Sequence, residues 1–269
     1  YSFDYDPFGQ LWMLSNGEGN PNRFIRVLEG VDYHCYSRPA VNNHWLSGKH
    51  PLAPPCFELP RGANTQLLRY FGAAFPQEMQ GSLLLSNWGA HGFHAPDRTI
   101  YRYVPDGRNN IVHKEPWLTC RDPHFRSSHL LLDANGDLLI ADWYGRDDES
   151  DVTGRVWRVS YTGADASETG KPGTRTAGKG RLDGKPKVEH TLDSPKWNDS
   201  AFALSGLASP NHLVREKAIE SLAARGPEIA EALGRYAAEC ESPLGAAGAI
   251  WALVRLDDLP SLMHLTGAA

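Results

Sequence analysis

The stretch Asp133-Ala134-Asn135-Gly136-Asp137-Leu138-Leu139-Ile140-Ala141-Asp142-Trp143 places an Asn-Gly pair directly ahead of a short apolar run. An Asn or Asp followed by Gly supplies the positive φ of a tight hairpin, and the apolar run after it reads as a buried strand. Asp6-Pro7-Phe8-Gly9-Gln10-Leu11-Trp12-Met13-Leu14 repeats that grammar, and Gln80-Gly81-Ser82-Leu83-Leu84-Leu85-Ser86 is a third copy. Each copy has a second half about 20 residues on. Arg23-Phe24-Ile25-Arg26-Val27, Arg98-Thr99-Ile100-Tyr101-Arg102-Tyr103 and Arg155-Val156-Trp157-Arg158-Val159 alternate arginine with apolar or aromatic residues. Alternation at period two marks a strand with one buried and one wet face.

A hairpin plus an outer strand, recurring every roughly 50–70 residues, is the pattern of a β-propeller blade. Three copies fall short of a ring, which uses about four to eight blades. A three-unit β-sandwich is the alternative. In a propeller, the residues that end the inner strands sit near one mouth of the central channel. Ser15-Asn16, Asn87-Trp88 and Asp142-Trp143 hold that place in the three copies. The bland reading of Trp88 and Trp143 is packing between blades.

From Thr162 to about Lys187 the composition turns to Gly, Lys, Thr, Ala and Pro, too poor in apolar residues to order itself. Beyond Lys196 the period becomes helical. Leu213, Val214, Ala218, Ile219 and Leu222 share one face of a helix that starts near Pro210-Asn211 and stops at Gly226-Pro227. Further helices are expected over Glu228–Cys240 and Leu244–Leu256, the second carrying Ala247, Ile250, Trp251, Leu253 and Val254. Short helices with small residues at their contacts resemble HEAT-type repeats. The expected organisation is therefore multidomain β plus α. It comprises a partial, about three-blade propeller over 1–161, a linker over 162–196 and a short HEAT-like stack over 197–269. The chain opens on Tyr1-Ser2-Phe3-Asp4-Tyr5, a strand pattern without Met or leader, so we expect a piece of a longer protein.

Bulk properties exclude some functions. A net charge of −5 over 269 residues gives no electrostatic reason to expect nucleic acid or an anionic membrane as partner. No apolar run approaches the roughly 20 residues of a membrane span. Cys35, Cys56, Cys120 and Cys240 form no CxxC pair, so a haem c attachment site is absent from this sequence and no metal cluster is signalled.

Several motifs resemble a known family. Phe75-Pro76-Gln77-Glu78-Met79-Gln80-Gly81-Ser82-Leu83-Leu84 is similar to a strand of the soluble quinoprotein glucose/sorbosone dehydrogenases. Gly30-Val31-Asp32-Tyr33-His34-Cys35-Tyr36 resembles one of their turns. His124-Phe125-Arg126, Asp133-Ala134-Asn135-Gly136, Ala141-Asp142-Trp143-Tyr144 and Gly154-Arg155-Val156-Trp157-Arg158-Val159 resemble a branch of large membrane-bound dehydrogenases. In that branch the propeller precedes HEAT repeats and often a c-type haem module. The resemblance implies an extracytoplasmic, periplasmic oxidoreductase that oxidises a sugar or polyol hydroxyl with pyrroloquinoline quinone (PQQ) and calcium. The HEAT repeats would dock a protein partner, and any haem c would belong to a module outside this chain.

Carried onto this sequence, the resemblance gives Arg126 the role of pairing with an anionic group and Trp143 that of stacking on a ring. His124 and Asp142 are the candidate catalytic residues, and Asn16, Asn87 and Trp88 are their neighbours. The family's second cofactor arginine falls on Ser128, its lysine near Trp88-Gly89, and its calcium-binding acidic pair on Arg23-Phe24. Calcium is therefore not expected here, and a complete active site is not expected within this chain. A non-catalytic propeller that binds carbohydrate or protein is the alternative. His91-Gly92-Phe93-His94 and Asp147-Asp148-Glu149-Ser150-Asp151 are secondary candidates for a polar loop or a cation.

Overall fold

Gly9, Gly81 and Gly136 take φ values of +79°, +75° and +84° in the computed structural model, the left-handed region that glycine enters without a Cβ penalty. The structure describes residues 2–15, 22–31, 33, 57–59, 63–89, 98–106, 110–143, 154–162 and 190–267. It divides into two units. The first is Tyr1–Phe71, Gln77–Asp133 and Leu138–Val159, and the second is Gly72–Pro76, Ala134–Asp137 and Ser160–Ala269.

The first unit holds three antiparallel meanders. Strands β1 (Ser2–Tyr5), β2 (Leu11–Leu14), β3 (Asn22–Arg26) and β4 (Phe57–Leu59) pair in chain order. So do β5 (Asn64–Arg69), β6 (Leu83–Asn87), β7 (Thr99–Pro105) and β8 (Ile111–Thr119). The third sheet has β9 (Ser127–Leu132), β10 (Leu138–Asp142) and β11 (Arg155–Val159). Register repeats with the glycines: Phe3 faces Met13, Leu67 faces Leu85 and Leu130 faces Ile140.

The strands nearest one another across the sheets are β1, β5 and β9, with β1 against β5 and β5 against β9. This corrects the sequence reading, which gave the inner place to the Leu-rich runs after each glycine. Those runs are the second strands, β2, β6 and β10. The first strands carry Ser2, Thr65, Gln66, Ser127, Ser128 and His129, and that polar content hid them. Core packing explains the runs. Trp12, Leu14, Phe24 and Leu59 of the first sheet meet Leu67, Leu83, Leu85 and Tyr103 of the second, with Trp12 and Phe24 stacked at 5.3 Å. Each such side chain contributes about 1.5–3 kcal/mol on burial. All five residues of β6 are buried because its sheet is covered on both faces.

The first turn is closed by Asp6. Its Oδ1 accepts from the amides of Phe8 at 2.9 Å and Gln10 at 3.0 Å. Its Oδ2 accepts from Trp12 Nε1 at 3.0 Å and from the Arg69 guanidinium. Asp4 lies close by and accepts from the Arg69 amide at 3.4 Å. Burial, aided by the charge of Asp6, pushes the Asp4 carboxyl above its usual range against the amides of Arg69 and Tyr5. A carboxyl raised on folding opposes the folded state once ionised. That cost is full above the folded pKa, fades as pH falls through it, and is gone below the unfolded one. Asp4→Asn is therefore expected to stabilise the chain at pH 7 and to lose its advantage at pH 3. Urea unfolding at the two pH values checks this, and a variant less stable than the parent at pH 7 would refute it.

The second unit is mainly helical, with α1 (Ser200–Gly206), α2 (His212–Ala223), α3 (Ala230–Glu239), α4 (Pro243–Arg255) and α5 (Leu259–Leu265). Side chains cap the starts: Asp199 accepts from the Phe202 amide at 2.7 Å, Asn211 from Leu213 at 2.9 Å and Ser242 from Gly245 at 3.2 Å. Successive helices pack together, α1 on α2, α3 on α4 and both on α5. The sequence located α2 and the Gly226-Pro227 break, but α1 and α5 are additions. In α2, Val214, Ala218, Ile219 and Leu222 are buried as expected. Of the apolar residues the sequence places on α4, Leu253 is buried and Ile250, Trp251 and Val254 are exposed, while Gly245, Gly248, Ala249 and Ala252 are buried. The helices approach too closely for larger residues. A Cβ on Gly248 would meet Leu207 at 3.1 Å, and one on Gly245 would meet Cys240 Sγ at 2.8 Å.

The expected linker lies mostly outside the described residues. Near its end, the His190 ring packs 4.5 Å from Phe202 and 5.5 Å from Trp197. Among the described residues no helix is long and apolar enough to cross a membrane.

Candidate functional site

At the end of β10 the register against β9 shifts between Ala141 and Asp142, setting Asp142 opposite Ser127. The irregularity turns a charged side chain into the unit, where it is 3% exposed. Four donors meet it. Arg126 N binds Oδ1 at 2.8 Å, and Oδ2 accepts from Arg155 Nε at 2.9 Å, Arg155 Nη2 at 2.7 Å and Trp157 Nε1 at 2.8 Å. Arg155 also donates to Asp122 Oδ2 at 2.6 Å, while the His124 amide donates to Asp122 Oδ1 at 2.9 Å. These bonds, the His124 amide first and Arg155 second, hold the Asp122 carboxyl below its usual range.

Arg126 is 2% exposed. Its guanidinium carbon lies 4.3 Å from the centre of the Trp88 ring, and Nη1 donates to the Trp88 carbonyl at 3.3 Å. Stacking of this kind suits arginine because its flat, weakly hydrated cation tolerates an aromatic face better than lysine does. Trp143 meets Trp88 edge to face at 6.5 Å, and its amide donates to the Arg126 carbonyl at 2.8 Å. Trp88 is buried, whereas Trp143 is 47% exposed. Asn87 ends β6; its Oδ1 accepts from the Gly89 amide at 2.8 Å, and its carbonyl accepts from Ser127 Oγ at 3.4 Å. Thr65 Oγ1 donates to the Ser127 carbonyl at 3.3 Å. The ends of β5, β6, β9 and β10 thus converge.

The sequence-derived residues Arg126, Trp88, Asn87, Asp142 and Trp143 come together here. His124 stands two residues before Arg126 with its ring exposed. Asn16 lies outside the described residues, as do the loops of His91, His94 and Asp147–Asp151. Sequence reasoning missed Asp122, Arg155 and Trp157 as members of the network. The two β11 residues were visible as an Arg-x-Trp alternation, but nothing in the alternation tells which carboxylate they meet.

The one arginine carried over for PQQ carboxylates, Arg126, is buried against Trp88, and Ser128 donates to the Ala141 carbonyl at 3.2 Å. At the place of the calcium pair, Phe24 is core and the Arg23 guanidinium donates to the Tyr33 carbonyl. Among the described residues no three His, Cys, Asp or Glu side chains gather to hold a metal. The described residues do not form a PQQ–calcium cradle.

No protein-family model and no curated protein matches this chain. Solved structures do. A glucose dehydrogenase-type oxidoreductase from Thermus thermophilus is 18% identical, with 58% of this chain covering 44% of that one at a TM-score of 0.40. A second structure, named a glucose dehydrogenase, is 16% identical over 60% of this chain and 44% of its own, at a TM-score of 0.43. A third of the same name is 18% identical over 60% and 43%, at 0.44. The chain thus spans less than half the length of the glucose dehydrogenase structures it is similar to, at low identity.

Proposed function

We propose that this chain supplies three blades of a sugar-dehydrogenase-type β-propeller and that the tryptophan–arginine cluster is part of the wall that holds a sugar or polyol. Support comes from the repeated meanders, whose first strands line up as β1, β5 and β9. The observation that carries the ligand class is Trp143: half exposed, yet fixed edge-on to Trp88. An indole packed edge-on to a buried neighbour with half of its surface in solvent is a platform for the C–H face of a sugar ring. The HEAT-type reading of α1–α5, a protein partner docked on them and an extracytoplasmic location belong to the same proposal.

Asp142 serves here as a positioning residue, because both of its oxygens are already engaged by the Arg126 amide, Arg155 and Trp157 inside the unit. His124 remains the candidate base within the chain. That division of roles favours a second reading, a propeller that binds carbohydrate without oxidising it. Dye-linked oxidation of D-glucose or sorbitol, with and without added PQQ, separates the two.

The binding claim has its own test. Calorimetric titration of the 269-residue chain with sorbitol or D-glucose is expected to show saturable binding. Trp143→Ala should weaken it about 3–10-fold while leaving the melting temperature unchanged. Equal binding by the variant, or none by the parent chain, would overturn the proposal.

A further inference from the structure

Counted from the turn glycines Gly9, Gly81 and Gly136, the second and fourth residues of each following strand face one way, and the third and fifth face the other. Where the first sheet meets the second, the third and fifth residues of β2, Trp12 and Leu14, pack with the second and fourth of β6, Leu83 and Leu85. That leaves Leu84 and Ser86, third and fifth in β6, for the side of the third sheet, where β6 lies against β9. Both are buried. In β10 the second and fourth residues, Leu138 and Ile140, are buried as well. Two faces are left over, one of each kind. The first sheet shows Leu11 and Met13, second and fourth in β2, half-buried beside Phe3 and Tyr5, which are 69% and 64% exposed. The third sheet shows Leu139 and Ala141, third and fifth in β10, half-buried beside Leu131 at 61% and Val156 at 72%. Apolar side chains gathered on one open face mark an interaction surface.

We infer that a second copy of this chain covers both faces, the third sheet of each copy packing on the first sheet of the other. The contact then repeats a joint that the chain already makes within itself, a third-and-fifth face against a second-and-fourth face. Unlike faces that meet head to tail close into a ring when the rotation between copies allows it. Two copies of three sheets give about six blades, within the roughly four to eight of a propeller ring, whereas three copies give about nine and exceed it. A dimer also makes the joint twice, so neither face is left in water. The inference rests on the propeller reading of the three sheets and does not depend on the sugar.

Sedimentation equilibrium of the 269-residue chain is expected to give a species of twice the chain mass and nothing larger. Phe3→Asp on one face and Leu131→Asp on the other change exposed positions, so each variant should keep the parent's far-ultraviolet circular dichroism. Each should weaken self-association at least about 100-fold, because a charge then lies in both joints of the dimer. An equimolar mixture of the two variants should regain part of the dimer, since one joint of the mixed pair carries neither charge. A monomeric parent chain would overturn the inference and assign the faces to other blades; saturable sorbitol binding by that monomer would leave the sugar site standing. A dimer that survives Phe3→Asp would place the contact elsewhere, and a ladder of larger species would show ends that do not close; either result sinks the ring. A dimer that both variants break but that binds no sorbitol would support the ring and remove the sugar site.

Discussion

Asp142→Ala is expected to destabilise the sheet-bearing unit by about 3 kcal/mol, the low end of what removing one partner of a buried ion pair costs. The low end applies because Arg155 keeps 30% of its side chain in solvent and is screened there. What remains is the loss of four hydrogen bonds and the stranding of Trp157 Nε1 and the Arg126 amide. The variant should also lose sugar binding. Asp142 fixes the backbone of Arg126, and Arg126 in turn accepts from the Trp143 amide, so the indole platform loosens with it. Asp142→Asn keeps the shape but sets an NH2 group against donors whichever way it turns, so an intermediate loss of about 1.5–3 kcal/mol is expected. Urea unfolding followed by tryptophan fluorescence measures both. An alanine variant that unfolds like the parent would show that Arg155 and Trp157 find equivalent acceptors elsewhere, and the positioning role would fall.

Much of this site was legible in the sequence because the repeat itself aligns it. Ser15, Asn87 and Asp142 each stand six residues after a turn glycine, and their neighbours Trp88 and Trp143 follow in step. Periodicity therefore located the ends of β6 and β10 without any structure. It could not show that Arg126 would turn inward and stack on Trp88, since an isolated arginine before a polar Ser127-Ser128-His129 run reads as a surface residue. Asn64 was hidden for the same reason. Polar residues in first strands look like loop, and only their burial between sheets reveals them as strand.

The helical unit shows the complementary case. In α4 the large apolar residues Ile250, Trp251 and Val254 are exposed, while close approach buries Gly245, Gly248 and Ala252. Transfer energies reward large residues, and the space between two tightly packed helices excludes them. Small residues at helical spacing carried the signal.

Gly136→Ala is expected to cost about 3 kcal/mol or more, and Gly81→Ala only about 1–2 kcal/mol, although the sequence assigns both glycines the same duty. Both have positive φ, +84° and +75°, so each alanine bears the left-handed penalty of roughly 1–2 kcal/mol. The difference lies in the space. A Cβ on Gly81 meets only the far ends of Phe71 and Arg69 at 3.8 Å and beyond, which is ordinary contact. A Cβ on Gly136 falls 2.6 Å from the backbone nitrogen of Ala73 and 3.0 Å from that of Ala74. Backbone atoms cannot rotate away as a side chain can, so the turn or the Gly72–Pro76 segment must shift, and overpacking of this kind costs about 1–3 kcal/mol on its own. Thermal and urea unfolding of the two variants side by side measures the gap. Equal losses would mean that the third turn is held by φ alone. A larger loss at Gly136 would make its glycine a contact residue as well as a turn residue, a distinction that the Asn-Gly signal cannot carry.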